Sequence, residues 1–313
     1  MTKSQQSSST PLNPSDIFKK YEEFPDQSLK LSVYKEVSVA IIQAISAAQE
    51  ISVFPPVNPA SKIDFQFKKK GFSKLLIFDL DETLIHSMRD EDELEFPKLN
   101  DVYEENEPHL WVEMESPSSD YGKFQQGIYL RPYLQECLRA ANIDYEVAIF
   151  TAGYDWYANP IIDEIDPTGT LIQHRFFRQH AQTINHKGQE SLYKDLDVFE
   201  GINLTRTLII DNQVFCFAKH LSNGVPIAGF YGDKKDCELV KVMKYVHQIA
   251  QEENLQVANE LQFGLKAMLS TPISNFAMYY QIDEMSESDE NDFEEDGDTL
   301  HSSARRREVT IFK

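Results

Sequence analysis

The chain has 313 residues and a formal net charge of -21, from 30 Lys and Arg against 51 Asp and Glu. That balance argues against general binding to nucleic acid or to anionic membranes. Apolar residues make up 41% of the chain, enough for a sizeable core, and the length admits one large domain with tails or two small domains. The cysteines, Cys137, Cys216 and Cys237, are far apart, which reads as reduced thiols of an intracellular protein rather than as a disulfide framework.

From the N-terminus, Met1 to Ser15 is rich in Ser, Thr, Gln and Pro and reads as disordered. Leu31, Tyr34, Val37, Ile41 and Ile45 repeat at helical spacing, predicting a helix over Leu31 to Ile51. The plainer reading is a helix packed on the domain, and the alternative is a helix that binds a partner protein. Its most apolar piece, Val37 to Gln49, lies between Glu36 and Glu50 and is too short to span a bilayer. No secretory signal pattern is visible, so a nuclear or cytoplasmic protein is expected, neither secreted nor membrane-spanning. Pro55, Pro56 and Pro59 form a linker that helix cannot cross. Residues 1–62 thus form an N-terminal segment, 63–270 the ordered domain, and 271–313 an acidic tail with 10 carboxylates between Asp283 and Asp298.

Within the domain, Leu75 to Phe78 is an apolar run of the kind a buried parallel strand needs. Residues 87–126 are long for a plain connection and predict a small β insertion, with Leu110 to Met114 alternating like a strand. Arg131-Pro132 introduces a helix through Leu134 and Leu138, followed by a strand at Tyr145 to Phe150 and a helix at Asp155 to Ile165. Further strands are expected at Thr207 to Ile210 and Val225 to Ala228, and a helix at Asp236 to Glu252. Strands alternating with helices predict an α/β fold, a three-layer sandwich around a central parallel sheet.

The chemistry is concentrated where these strands end. The first stops on Asp79, Asp81 and Thr83, the second on Thr151, and the third on Asp211 and Asn212. In a parallel sheet those ends share the edge where α/β folds place ligands. Buried carboxylates so grouped repel one another unless a cation neutralises them. A small set of hard oxygen ligands suits Mg²⁺, and phosphate chemistry fits such a site. A calcium loop fits poorly, because Leu80 between the aspartates, Leu84 after Thr83 and the strand before them do not match the pattern, which also needs a turn glycine.

Phe78-Asp-Leu-Asp-Glu-Thr-Leu-Ile-His-Ser87 resembles the first motif of the haloacid dehalogenase superfamily. More narrowly, it is similar to the small phosphatases of the NLI-interacting-factor type that act on the C-terminal domain of RNA polymerase II. The likeness continues in order through Leu130-Arg-Pro132, Ile149-Phe-Thr-Ala152, Phe177-Arg178, Tyr193-Lys-Asp-Leu196 and Ile209-Ile-Asp-Asn212. It covers about residues 72 to 250. The resemblance implies a Mg²⁺-dependent serine/threonine phosphatase of phosphoproteins. Asp79 would be the nucleophile forming an aspartyl-phosphate, and Asp81 the acid and then the base. Thr151 and Lys194 would balance charge on the phosphoryl oxygens. Mg²⁺ would be held by Asp79, the Asp81 carbonyl, and Asp211 or Asn212. Thr83 would hold the motif's loop in shape. Rival readings are a phosphatase of small metabolites and a catalytically idle scaffold, although every group needed for turnover is present.

Substrate choice is where the chain departs from this family. Tyr157 matches a tyrosine that forms a pocket for a substrate proline, but Arg89 stands where relatives carry an aromatic residue. Arg178 matches an arginine used near a second substrate group. The acidic insert, with 12 carboxylates between Asp90 and Asp120, reads first as a solvated acidic loop near the site entrance; the sharper alternative is that it disfavours highly acidic phosphopeptides and tolerates basic ones. His86 has no paired nucleophile, and a packing or hydrogen-bonding role is expected for it.

Overall fold

The computed structural model describes residues 29–51, 53–88, 107–117 and 122–272. In chain order the main elements are α1 (Leu29–Ile51), β1 (Ile63–Asp64), β2 (Leu75–Phe78), β3 (Ile85–Met88), β4 (Leu110–Glu115) and β5 (Lys123–Leu130). They are followed by α2 (Leu134–Asp144), β6 (Glu146–Phe150), α3 (Asp155–Ile165), β7 (His174–Phe176) and the hairpin β8 (Gln182–His186) and β9 (Gln189–Tyr193). The C-terminal half contains β10 (Phe199–Glu200), β11 (Thr207–Asp211), β12 (Gly224–Pro226), α4 (Glu238–Ile249), α5 (Leu255–Phe263) and α6 (Leu265–Met268).

The core is a five-stranded sheet in the order β12-β11-β2-β6-β7, with every neighbouring pair parallel. Each residue of β2, β6, β11 and β12 is buried, as strands covered on both faces must be. The expected α/β sandwich is borne out. From β2 the chain steps to β6 and β7 on one side, and later to β11 and β12 on the other. The strand order therefore reverses beside β2, and a ligand crevice opens at the carboxyl ends of such a switch point. Register brings those ends level, since Ile77 pairs with Ile209 on one side and Ala148 on the other.

The predicted β insertion is a three-stranded antiparallel sheet, β3-β5-β4. It is wider than 87–126: β3 leaves the first motif at Ile85 and β5 runs on to Leu130. Helix α3 packs on β4, while α2 packs on α4 and α4 on α1. The hairpin β8–β9 turns on Lys187 and Gly188, both at positive φ (53° and 82°), the backbone that a tight two-residue hairpin requires.

Helix α1 buries Ile41, Ala44, Ile45 and Ala48, one helical face with i, i+3, i+4 spacing. It packs on the 3-10 segment Val214–Asn223, and Gln49 Nε2 donates to the carbonyls of Met268 and Thr271 at 3.0 Å. Ile41 and Ile45 belong to the same apolar core as the central sheet. Among the described residues, no helix is long and apolar enough to cross a membrane.

Candidate active site

The first motif works by alternation. The Asp79 N–H donates to the Ile210 carbonyl at 2.9 Å, so the β2–β11 ladder extends one residue and sets Asp79 beside Asp211. Leu80 and Leu84 are fully buried and anchor the loop in the core, which leaves Asp79, Asp81 and Thr83 to turn toward the strand ends. The Leu80 carbonyl accepts from the N–H groups of Leu84 and Ile85 at 2.9 and 3.1 Å, closing a tight turn with Glu82 at φ 55°.

Arg131 locks this loop from behind. Its fully buried side chain donates to the carbonyls of Thr83 (3.0 Å) and Ala228 (2.8 Å). It also grips the Asp236 carboxylate with two bonds of 2.9 and 2.8 Å, the forked geometry to which guanidinium is suited. In the sequence Arg131 stands at the start of a helix and within the Leu130-Arg-Pro132 motif, with no side-chain role assigned to it. The signal it carried was a charged residue inside an otherwise apolar run.

Lys194 follows directly on β9 and is 2% exposed. Its Nζ donates to Asp79 Oδ1 at 2.5 Å and to Asp211 Oδ2 at 2.6 Å. Burial works against the ammonium, but Asp211 and Asp79 outweigh it and hold the lysine charged. Burial, together with the Asp79 charge, pushes the Asp211 carboxyl up to about 7 against the pull of Lys194. Desolvation, aided by the charge of Glu82, raises half-buried Asp81 to about 7 as well, with a hydrogen bond from Tyr157 opposing the shift.

These side chains meet in one open cleft of about 310 Å³. Asp79, Asp81, Lys194, Asp211 and Asn212 form its floor, and Thr151, Tyr157 and Arg178 line it too. Thr151 is buried; its hydroxyl accepts from the Gly153 N–H at 2.9 Å. Arg178 donates to the Ala152 carbonyl at 3.2 Å and lies 5.1 Å from the ring centre of exposed Tyr154. Thr83 sits beneath the floor, its hydroxyl 3.3 Å from Asp79 Oδ2 and 3.5 Å from Asn212 Oδ1. Arg89 and most of the acidic insert lie outside the described residues. Ser87, the last residue of the first motif, and Cys216, read from the sequence only as a reduced thiol, also line the cleft; the thiol is pushed well up by burial. His86 is buried, facing Glu82 Oε1 at 3.2 Å and near the Tyr129 and Tyr231 rings, a packed and hydrogen-bonded setting.

The donor set fits a hard divalent cation. Asp79, Asp81 and Asp211 face one lysine, an imbalance that such an ion would offset. Asp211 is the less available ligand: its Oδ1 accepts from the Gln213 N–H at 2.7 Å and its Oδ2 from Lys194. Among the described residues, Asn212 Oδ1 is engaged by Thr83 at 3.5 Å. A second acidic group, Asp195, Asp197 and His220, also has metal-ligand spacing. There, however, Lys219 already bridges the two carboxylates at 2.6 and 3.0 Å, so this group is an ion-pair network.

A profile of the NLI interacting factor-like phosphatase family matches residues 74–256. The chain belongs to this family. Its place in the haloacid dehalogenase superfamily, expected from the motifs, is thereby borne out. A Dictyostelium discoideum protein described as a probable C-terminal domain small phosphatase is 32% identical over 184 residues, 59% of this chain and 53% of its own. The Caenorhabditis elegans CTD small phosphatase-like protein 3 is 33% identical over 179 residues, 56% of this chain and 53% of its own. The match thus spans about half the length of these family relatives. Among solved structures, that of Fcp1, an essential RNA polymerase II CTD phosphatase, aligns with a TM-score of 0.38 and 20% identity, over 66% of this chain and 63% of that one.

Proposed function

We propose that this chain is a Mg²⁺-dependent protein serine/threonine phosphatase that works through an aspartyl-phosphate on Asp79. The observation that carries the reading is the Lys194 bridge between Asp79 and Asp211 at the switch point, with Asp81 beside it. Lys194 holds Asp79 Oδ1, while Oδ2 is only weakly engaged by Thr83 at 3.3 Å, so Oδ2 is the oxygen free to attack. As the Asp79–phosphorus bond forms and the ester bond breaks, the proton on Asp81 passes to the departing oxygen. Asp81 then takes a proton from the water that displaces Asp79 and frees phosphate. The Thr151 hydroxyl and Lys194 balance charge on the phosphoryl oxygens. Mg²⁺ would be held by Asp79, the Asp81 carbonyl and Asn212, and supplies charge neutralisation between an anionic nucleophile and an anionic ester.

The substrate we favour is a phosphoprotein; the motif resemblance makes the C-terminal domain of RNA polymerase II a candidate, and two relatives are described as a probable C-terminal domain small phosphatase and a CTD small phosphatase-like protein. The open cleft, lined by Arg178 with exposed Tyr154 beside that side chain, favours an extended chain over a small enclosed metabolite. With such a substrate, the nucleus or cytoplasm is the location we propose.

Hydrolysis of an aryl phosphate and of phosphoserine peptides, with and without a chelator, tests the reading. Activity is expected to vanish on chelation and to return with added Mg²⁺; full rates in the chelator would contradict it. Lys194→Ala is expected to lower kcat by roughly 10²- to 10³-fold, the scale of losing one preorganised charge-stabilising donor. Steady-state kinetics on the same substrates would read this, and near-wild-type kcat would remove Lys194 from the mechanism.

A further inference from the structure

Tyr157 matches a residue expected to touch substrate, yet its hydroxyl is directed elsewhere. It donates to Asp81 Oδ1 and lies 2.7 Å from Ser87 Oγ. A phenol has one proton; with that proton donated in the hydrogen bond to Asp81, the phenol oxygen is left to accept from the Ser87 hydroxyl. We propose that Tyr157 is a positioning residue for Asp81, fixing which carboxyl oxygen carries the catalytic proton, and that Ser87 orients the Tyr157 hydroxyl. This rests on the phosphatase reading above.

Three separate elements build the chain Ser87–Tyr157–Asp81. Asp81 belongs to the motif loop, Ser87 to β3, and Tyr157 to the first turn of α3. Helix α3 is fixed in turn by packing on β4, in the same small sheet as β3. At Gly153 an added Cβ would fall 3.0 Å from the Tyr157 ring, so the loop after β6 lets the ring lie close over it. An arrangement drawn from so many parts fixes the hydroxyl rather than leaving it to sample rotamers.

The chemical consequence is a division of labour between the Asp81 oxygens. With Oδ1 accepting from Tyr157, the transferable proton resides on Oδ2. As the ester bond breaks and the Asp79–phosphorus bond forms, that proton passes from Oδ2 to the departing oxygen. The carboxylate left behind accepts a charge-assisted bond from Tyr157, stronger than the neutral one it replaces. Tyr157 keeps its own proton throughout. In the second half-reaction the attacking water returns a proton to Oδ2. The help Tyr157 gives should therefore grow with the need for protonation of the departing oxygen.

The test is kcat/KM, which reports steps up to formation of the phosphoenzyme, over a series of aryl phosphates of increasing leaving-group pKa and a phosphoserine peptide. It uses the full chain with Mg²⁺. Tyr157→Phe is expected to cost about twofold or less on the best leaving group and about 10- to 100-fold on the poorest. Ser87→Ala should tilt the series the same way by a smaller factor. In the Asp81→Asn background, Tyr157→Phe should no longer change the slope. An equal loss of kcat/KM along the series, as a substrate-contact or folding role would give, overturns the proposal, as does a tilt that survives Asp81→Asn. A wild-type chain inactive on the whole series would instead overturn the phosphatase reading itself, and this inference with it.

Discussion

Asp79→Asn is expected to abolish turnover, lowering kcat by on the order of 10⁴-fold or more on aryl phosphates and phosphopeptides alike. The amide is nearly isosteric with the carboxylate, so Lys194 keeps an oxygen to bond, but the nucleophilic charge is gone. The fold should not suffer. Asp79 and Asp211 share one lysine at 2.5 and 2.6 Å, and the change leaves Lys194 facing a single carboxylate, a neutral pair. A thermal melt at or above that of the wild type, together with lost turnover, is the expected result. Retained activity would mean that the phosphoryl group is transferred elsewhere.

The largest effect on stability is expected at Arg131. Arg131→Met keeps most of the volume but strips the cation from Asp236, whose side chain is 11% exposed. It also leaves the carbonyls of Thr83 and Ala228 without a buried donor. Breaking a buried, hydrogen-bonded ion pair by removing one partner destabilises by about 3–5 kcal/mol. Urea unfolding followed by fluorescence should show a loss on that scale, and a loss of less than about 1 kcal/mol would contradict the role assigned here. Because Arg131 holds the loop between Asp81 and Ile85, activity should fall even where the variant remains folded.

What the sequence revealed, and what it hid, follows from the range of the interactions. The buried parallel strands were legible because a strand covered on both faces needs a continuous apolar run, as at Leu75 to Phe78 and Val147 to Phe150. Once the strands were placed, parallel geometry alone predicted that Asp79, Thr151 and Asp211 would meet at one edge. Strand β5 was missed because Gln125-Gln126-Gly127 interrupts its alternation; Gln126 is buried all the same. The hairpin that delivers Lys194 was missed because its strands are polar and half exposed, leaving only the Lys187-Gly188 turn as a signal.

Side-chain targets were the least legible. Nothing local ties Arg131 to Asp236, or the Tyr157 hydroxyl to Asp81, across 105 and 76 residues. The likeness to relatives marked Tyr157 as a substrate contact, and nothing in it signalled the bond its hydroxyl makes to Asp81. For helix α1, periodicity identified the apolar face at Ile41 and Ile45, but only the tertiary structure shows that this face covers the 3-10 segment after β11.

The central claim is that Asp79 carries the phosphoryl group. The most direct test is to quench the chain in acid during turnover of an aryl phosphate with Mg²⁺, reduce it with borohydride and map the peptides by mass. An acyl phosphate at Asp79 is reduced to homoserine, so the peptide containing Leu80 to Leu84 should carry that change at position 79. The change should be absent without substrate and in Asp79→Asn. Steady turnover with Asp79 left unmodified, or reduction at another carboxylate, would contradict the account.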